Sequence, residues 1–264
     1  MQQRPNIVFY FSDQQRWDTL GCYGQRLDVT PNLDALAAGG TRYENAFTCQ
    51  PVCGPARACL QTGRYATEIG CEINGFALPF GRVKTLAQCF NEAGYATGYV
   101  GKWHLATDRL AGIDYEQSAI PAERRGGYKD YWMAADVLEF TSHGYNGYVY
   151  NADNERVPFV GYRADCINNF AIDFLHGRKE QVEPFFLFIS QIEPHHQNDR
   201  RRYEGPDGSR AQFADFQPPG DLAACSRACA QGTDVSNWRE NYPDYLGCCH
   251  SLDYNVGRLV DTLK

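Results

Sequence analysis

Two short, unbroken apolar runs constrain the fold most. Ile7-Val8-Phe9-Tyr10-Phe11 empties directly into Ser12-Asp13-Gln14-Gln15, and Pro184 introduces Phe185-Phe186-Leu187-Phe188-Ile189-Ser190, which empties into Gln191-Ile192-Glu193-Pro194-His195-His196. A run without polar alternation is apolar on both faces, so each predicts a strand buried between two layers, as in parallel sheets covered by helices. A third strand is expected over Tyr95–Val100, ending in Gly101-Lys102-Trp103-His104. Three strands that each end in a polar cluster predict an α/β fold with its chemistry at the carboxyl ends of the strands.

Helix signals lie between these strands. Thr30 precedes Pro31 and an apolar stretch that stops at Gly39-Gly40, which reads as an N-cap, a first-turn proline and a glycine stop. Pro55–Gln61 is expected to be helical and closed by Gly63, and Thr85–Glu92 helical and closed by Gly94. Leu246, Cys249, Leu252, Val256, Leu259, Val260 and Leu263 form a helical stripe over 242–263. Arg42–Phe47 is expected to be a strand. Segments 106–160 and 197–240 have weak periodicity and read as loops, hairpins or substrate-selecting insertions.

Composition narrows the classes. With 264 residues and 43% hydrophobic content the chain can bury a sizeable core, as one domain or one domain with an incomplete neighbour. A net charge of -7 argues against a general nucleic-acid surface. The first apolar run is too short for a signal-peptide core, and nothing approaches the roughly 20 apolar residues of a membrane span, so the expectation is a cytoplasmic protein without a membrane partner. The 11 cysteines are odd in number and lack paired C-x2-C spacing, so most are expected to be reduced thiols.

Four clusters carry candidate chemistry. In Cys53-Gly54-Pro55-Ala56-Arg57 the proline suits a first helical turn, which places Cys53 at a helix entrance that favours anions, with Arg57 one turn on as a fork for sulfate or phosphate oxygens. Asp13 and Gln14 offer hard oxygen donors to Ca2+ or Mg2+. Lys102 and His104, two apart, are expected on one side of an extended segment, one as a point charge and the other as a proton carrier. His195 follows a strand end, with His196 as its rival.

The whole run Cys53-Gly54-Pro55-Ala56-Arg57-Ala58-Cys59-Leu60-Gln61-Thr62-Gly63-Arg64 resembles the signature of the formylglycine-dependent sulfatase family, in the alkaline-phosphatase-like superfamily, which reads C-x-P-x-R continued by T-G-R. Ala56 stands where serine is commonest, and Gln61 where leucine is usual. Asp13-Gln14 matches a pair that is usually two acids. Pro31-Asn32-Leu33-Asp34 and Gly101-Lys102-Trp103-His104 also resemble family segments, with Asp34 expected to be structural.

The resemblance implies an alkaline-phosphatase-like fold with a central mixed, largely parallel sheet flanked by helices. Residues 1–264 would be the N-terminal portion of the catalytic domain, ending before a second metal-binding strand and a C-terminal subdomain. It implies conversion of Cys53 to formylglycine by a formylglycine-generating or radical maturation enzyme. The hydrated aldehyde attacks sulfur with one hydroxyl and expels sulfate with the other. Asp13, Gln14 and position 53 would hold Ca2+, or alternatively Mg2+. Lys102 would contact nucleophile and sulfate, His104 would steady the diol and accept its proton, and His195 would lie near the leaving oxygen. The implied substrate is a sulfate monoester of a small molecule or glycan. With part of the metal site lacking, the chain alone is expected to bind metal weakly, to turn over little, and to expose a sheet edge through which it could self-associate. The alternatives are a phosphonate monoester or phosphodiester hydrolase with the same nucleophile, and a non-catalytic truncated product.

Overall fold

Both apolar runs form strands. The computed structural model describes residues 4–221 and 238–264. Its strands are β1 (Ile7–Phe11), β2 (Ala96–Lys102), β3 (Tyr131–Ala135), β4 (Tyr145–Tyr150), β5 (Arg156–Tyr162) and β6 (Phe185–Ser190). They form one sheet in the order β1-β6-β2-β3-β4-β5. The pairs β1/β6, β6/β2 and β2/β3 are parallel, whereas β3/β4 and β4/β5 are antiparallel. This is the mixed, largely parallel sheet expected. Interior strands β2 and β6 are buried at every residue, while edge strand β1 is half-buried throughout, which is why its neighbour reads as the more continuous apolar run.

By its contacts the chain divides into a sheet unit, Met1–Phe11 with Glu44–Gln191, and a helical unit, Ser12–Tyr43 with Ile192–Lys264. In the sheet unit the strands carry α2 (Cys53–Thr62), α3 (Ala66–Ile69), α4 (Leu86–Glu92), α5 (Leu138–Thr141) and α6 (Arg163–Arg178). Helix α2 stops at Gly63, whose φ of 66° lets its N–H return to the Cys59 carbonyl at 2.8 Å. Helix α4 begins with a capping box: the Gln88 N–H donates to Thr85 Oγ1, and the Thr85 N–H to Gln88 Oε1. The core is aromatic. Tyr99 stacks on Phe188 at 5.2 Å and on Trp132 at 5.3 Å, and Phe90 stacks on Phe186 at 4.1 Å. Each such ring contributes about 1.5–3 kcal/mol by leaving water.

The structure corrects the reading of secondary structure in three places within or beside this unit. Residues 42–47 are exposed and form no strand, because Tyr and Phe favour strands only where a ladder and a packed face receive them; Tyr43 and Phe47 are 72% and 89% exposed. Segment 106–160 is not all loop and hairpin, since β3 pairs in parallel with β2 and extends the sheet. No motif announced α6, a 16-residue helix with Ala164, Ile167, Ala171, Phe174 and Leu175 buried.

The helical unit contains α1 (Pro31–Gly39), α7 (Ser209–Gln212) and α8 (Trp238–Leu263). Its core gathers Val29, Phe213, Tyr242, Tyr245, Leu246 and Cys249. Part of the expected 197–240 excursion, 222–237, lies outside the described residues. Thr30 does not cap α1: its hydroxyl accepts the Gly21 N–H at 2.9 Å instead. The cap comes from α8, where fully buried Asp253 accepts the Asn32 N–H at 3.1 Å and the Leu33 N–H at 2.7 Å. Asp34 accepts the Cys22 N–H at 2.7 Å, the structural role expected of it. Asp253→Ala is expected to lower stability by about 1–3 kcal/mol, since two first-turn donors lose a charged acceptor in a buried place; an unchanged urea midpoint would show the cap to be idle.

Burial also sorts the thiols. It pushes Cys71 in the sheet unit and Cys249 in the helical unit each up to about 12, whereas Cys49 and Cys89 are exposed. With iodoacetamide at about pH 8, Cys49 and Cys89 are expected to label first and Cys71 and Cys249 last, because the thiolate is the reacting form. Peptide mapping checks this order, and early labelling of Cys249 would contradict it.

Candidate active site

In the sheet unit, the first turn of α2 carries Cys53, half-buried, followed by buried Gly54, Pro55 and Arg57. The turn begins with the Ala56 N–H on the Val52 carbonyl at 2.9 Å. Arg57 is 3% exposed. Its Nη1 donates to the Lys102 carbonyl at 2.9 Å and to Ser190 Oγ, and its guanidinium lies 5.2 Å from the centre of the Phe11 ring. The Lys102 carbonyl also accepts from Ser190 Oγ at 2.7 Å and from the Tyr99 hydroxyl at 2.6 Å. Arg57 thus ties the turn that bears Cys53 to the carboxyl ends of β2 and β6. A guanidinium serves such a bridge because it donates in several directions from one rigid plane.

Lys102 ends β2. Gly101 before it has φ of 103°, and a Cβ there would lie 2.0 Å from the Ser190 carbonyl oxygen, so only glycine lets β2 pass β6 so closely. The Lys102 side chain is wholly buried and its Nζ pairs with Glu139 Oε1 on α5 at 3.1 Å. The argument that spacing by two sets Lys102 and His104 on one side does not hold, because His104 has φ of 57° and leaves the extended conformation. Its N–H donates to the Asp136 carbonyl at 2.8 Å. The Asp136 carboxylate, fully buried, accepts the N–H groups of Leu105, Ala106 and Thr107 at 2.9–3.0 Å. Burial pushes this carboxyl above its ordinary value, and those N–H bonds oppose the shift.

Asp136, Glu139 and Ser190 escaped the sequence reading. Their signal was the D-x-x-E spacing after β3 and the terminal serine of the second apolar run. The first was hidden because 106–160 read as decoration.

In the helical unit, Asp13 is 7% exposed and its N–H reaches the Glu193 carbonyl at 3.2 Å. Gln14 adopts φ of 63°. Its side-chain oxygen accepts the His196 N–H at 3.2 Å, and its carbonyl accepts the Tyr245 hydroxyl at 2.8 Å. The structure therefore brings Asp13, Gln14 and the 193–196 segment together. It also separates the two histidines. His196 packs edge-on to Tyr203 with 5.3 Å between ring centres, and its Nδ1 lies 3.3 Å from Asn198 Oδ1. His195 Nδ1 is 2.6 Å from the His196 carbonyl. A carbonyl can only accept, so Nδ1 carries a proton.

A groove of about 550 Å³ in the sheet unit is lined by Phe11, Phe47, Cys49, Ala56, Leu60 and Tyr65 among others, and not by Cys53, Lys102 or His104. No helix among the described residues is long and apolar enough to cross a membrane.

The family model "Sulfatase" matches residues 5–264. The chain belongs to the sulfatase family. Among relatives, this sulfatase-family chain is 33% identical over 283 residues to the uncharacterized sulfatase YidJ of Escherichia coli K12, a match that covers 99% of the chain and 54% of that protein. It is 36% identical over 260 residues to an ulvan-active sulfatase of Formosa agariphila, covering 97% of the chain and 46% of the relative. The crystal structure of yidJ from Bacteroides fragilis is similar over all of the chain and 59% of its own length, with a TM-score of 0.80 and 28% identity. The chain thus spans about half the length of the curated relatives it matches.

Proposed function

We propose that this chain carries the nucleophile-bearing part of a sulfuric ester hydrolase, with Cys53 converted to formylglycine by a maturation enzyme. The observation that supports it best is the first turn of α2: Cys53 opens the helix, and Arg57, buried one turn on, ties it to the ends of β2 and β6. A formylglycine hydrate at this position supplies two hydroxyls on one carbon, one to bond sulfur and one to release sulfate.

The other roles are those the family resemblance implies, and each side chain has the chemistry for its role. Lys102, held as an ammonium beside Glu139, supplies positive charge to a sulfate oxygen. His104 steadies the nucleophile and accepts its proton. His195, with Nδ1–H fixed on a carbonyl, would protonate the leaving oxygen from Nε2 when it is the imidazolium. Arg57 adds fixed positive charge beside the nucleophile.

Asp13 and Gln14, with a formylglycine hydroxyl at position 53, offer donor types that a hard dication takes, a buried carboxylate and an amide oxygen suiting Ca2+, with Mg2+ the alternative. Such an ion would withdraw charge from the sulfate and from the nucleophile. A glycan sulfate is the favoured substrate class, supported by the relative named for its activity on ulvan. The parts of 106–160 outside β3, β4 and β5, together with 197–240, are the proposed substrate-selecting segments.

The test is to produce the chain together with a formylglycine-forming enzyme and to weigh the peptide that bears position 53. An aldehyde in place of the thiol is expected, with sulfate release from an aryl sulfate slow in this chain alone but faster than cleavage of an aryl phosphonate. An unaltered thiol would defeat the proposal, and preference for the phosphonate would move it to the sibling chemistry.

A further inference from the structure

Helix α2 has no cap of its own. Its N-cap residue is Val52, which offers no side-chain acceptor. The acceptor comes from another segment: Asn74 Oδ1 receives the Gly54 N–H at 2.8 Å. A tight turn presents Asn74. The Phe76 N–H closes it on the Ile73 carbonyl at 3.3 Å, and Gly75 takes φ of 85° at the position where such a turn demands glycine. The turn is held in turn by the Arg109 N–H on the Gly75 carbonyl at 2.8 Å and the Leu78 N–H on the Leu105 carbonyl at 3.0 Å. Gly54 is fitted to this neighbour, since a Cβ there would lie 3.1 Å from Asn74 Oδ1 and 3.3 Å from the His104 carbonyl oxygen. Position 53 therefore opens a turn gripped between Asn74 and the backbone of His104.

We infer that Asn74 is a positioning residue for position 53, and that its acceptor has to be an uncharged amide; the second half rests on the sulfate-ester reading. As a bare cap, asparagine and aspartate are about equally good, and the positive end of the helix favours the carboxylate. A turn that receives an anionic ester reverses that preference, because a carboxylate one residue from the nucleophile repels the substrate. Asn74 is itself exposed, so the aspartate variant folds without burying a new charge.

The test compares Asn74→Ala and Asn74→Asp in the full chain by two measurements. Hydrogen exchange at the Gly54 amide is expected to quicken about tenfold in Asn74→Ala and to stay unchanged in Asn74→Asp, where the acceptor survives. In protein carrying formylglycine, Asn74→Asp is expected to raise KM for an aryl sulfate about tenfold with Gly54 still protected. Unchanged exchange in Asn74→Ala overturns the positioning role. Wild-type KM in Asn74→Asp overturns the need for neutrality. If neither variant nor wild type released sulfate, the sulfate-ester reading and the neutrality that rests on it would fail, and exchange at Gly54 would still decide the positioning role.

Discussion

Cys53→Ser, produced beside a competent maturation enzyme, is expected to turn over no aryl sulfate above background. Serine keeps one hydroxyl on Cβ and so can form a sulfate ester, but it has no second hydroxyl on that carbon to expel the sulfate. The protein would stall after a single transfer, and mass analysis would find the 53 peptide unmodified or sulfated. Stability should change by less than about 0.5 kcal/mol, because the exchange is close in volume at a half-buried position. Steady turnover by the serine variant at a rate near that of the parent protein would show that the nucleophile lies elsewhere.

Lys102→Met is expected to cost about 3–5 kcal/mol, a large part of the total stability of an ordinary domain. The ammonium and its partner Glu139 are both buried, 3.1 Å apart. Removing the lysine alone leaves the carboxylate of Glu139 without that counter-charge in a medium that solvates charge poorly. The double variant Lys102→Met with Glu139→Leu should recover much of the loss, because replacing both members of a buried pair by apolar groups is often neutral. Activity separates structure from chemistry: it should be lost in the single variant and stay lost in the double one. Urea unfolding and aryl sulfate hydrolysis measured on the same preparations give both answers. A double variant that regained hydrolysis would reduce Lys102 to a structural residue.

The two effects differ in how visible they were beforehand. Cys53 could be read because proline and glycine punctuate its helix, and backbone geometry leaves a local trace: Pro55 in the first turn, Gly63 at the end with φ of 66°. Glu139 left none. A lone acid in a loosely patterned stretch becomes Lys102's partner only because β3 runs parallel to β2 and delivers α5 beside the end of β2.

The same division runs through the helical unit. Thr30-Pro31 marked the start of α1, yet the carboxylate that caps it is Asp253, 221 residues from Asn32. Thr30, the local candidate, is drawn off by Gly21. The misread strand at 42–47 is the converse case, in which local preference had no partner strand to complete it.

By itself the sequence determined the strands β1 and β6, the places of α2 and α4, and the residue types at the proposed nucleophile, the proposed metal donors and the β2 end, because each rests on hydrophobic runs or backbone punctuation within about a dozen residues. Only the tertiary structure decided which polar groups face one another: Arg57 on Lys102 and Ser190, Lys102 on Glu139, Asp136 under the 105–107 backbone, Asn74 on Gly54 and Asp253 on α1. A buried polar group takes whichever complementary partner the packing brings within hydrogen-bond reach. That choice is made by strand order and helix contact, which no local pattern encodes.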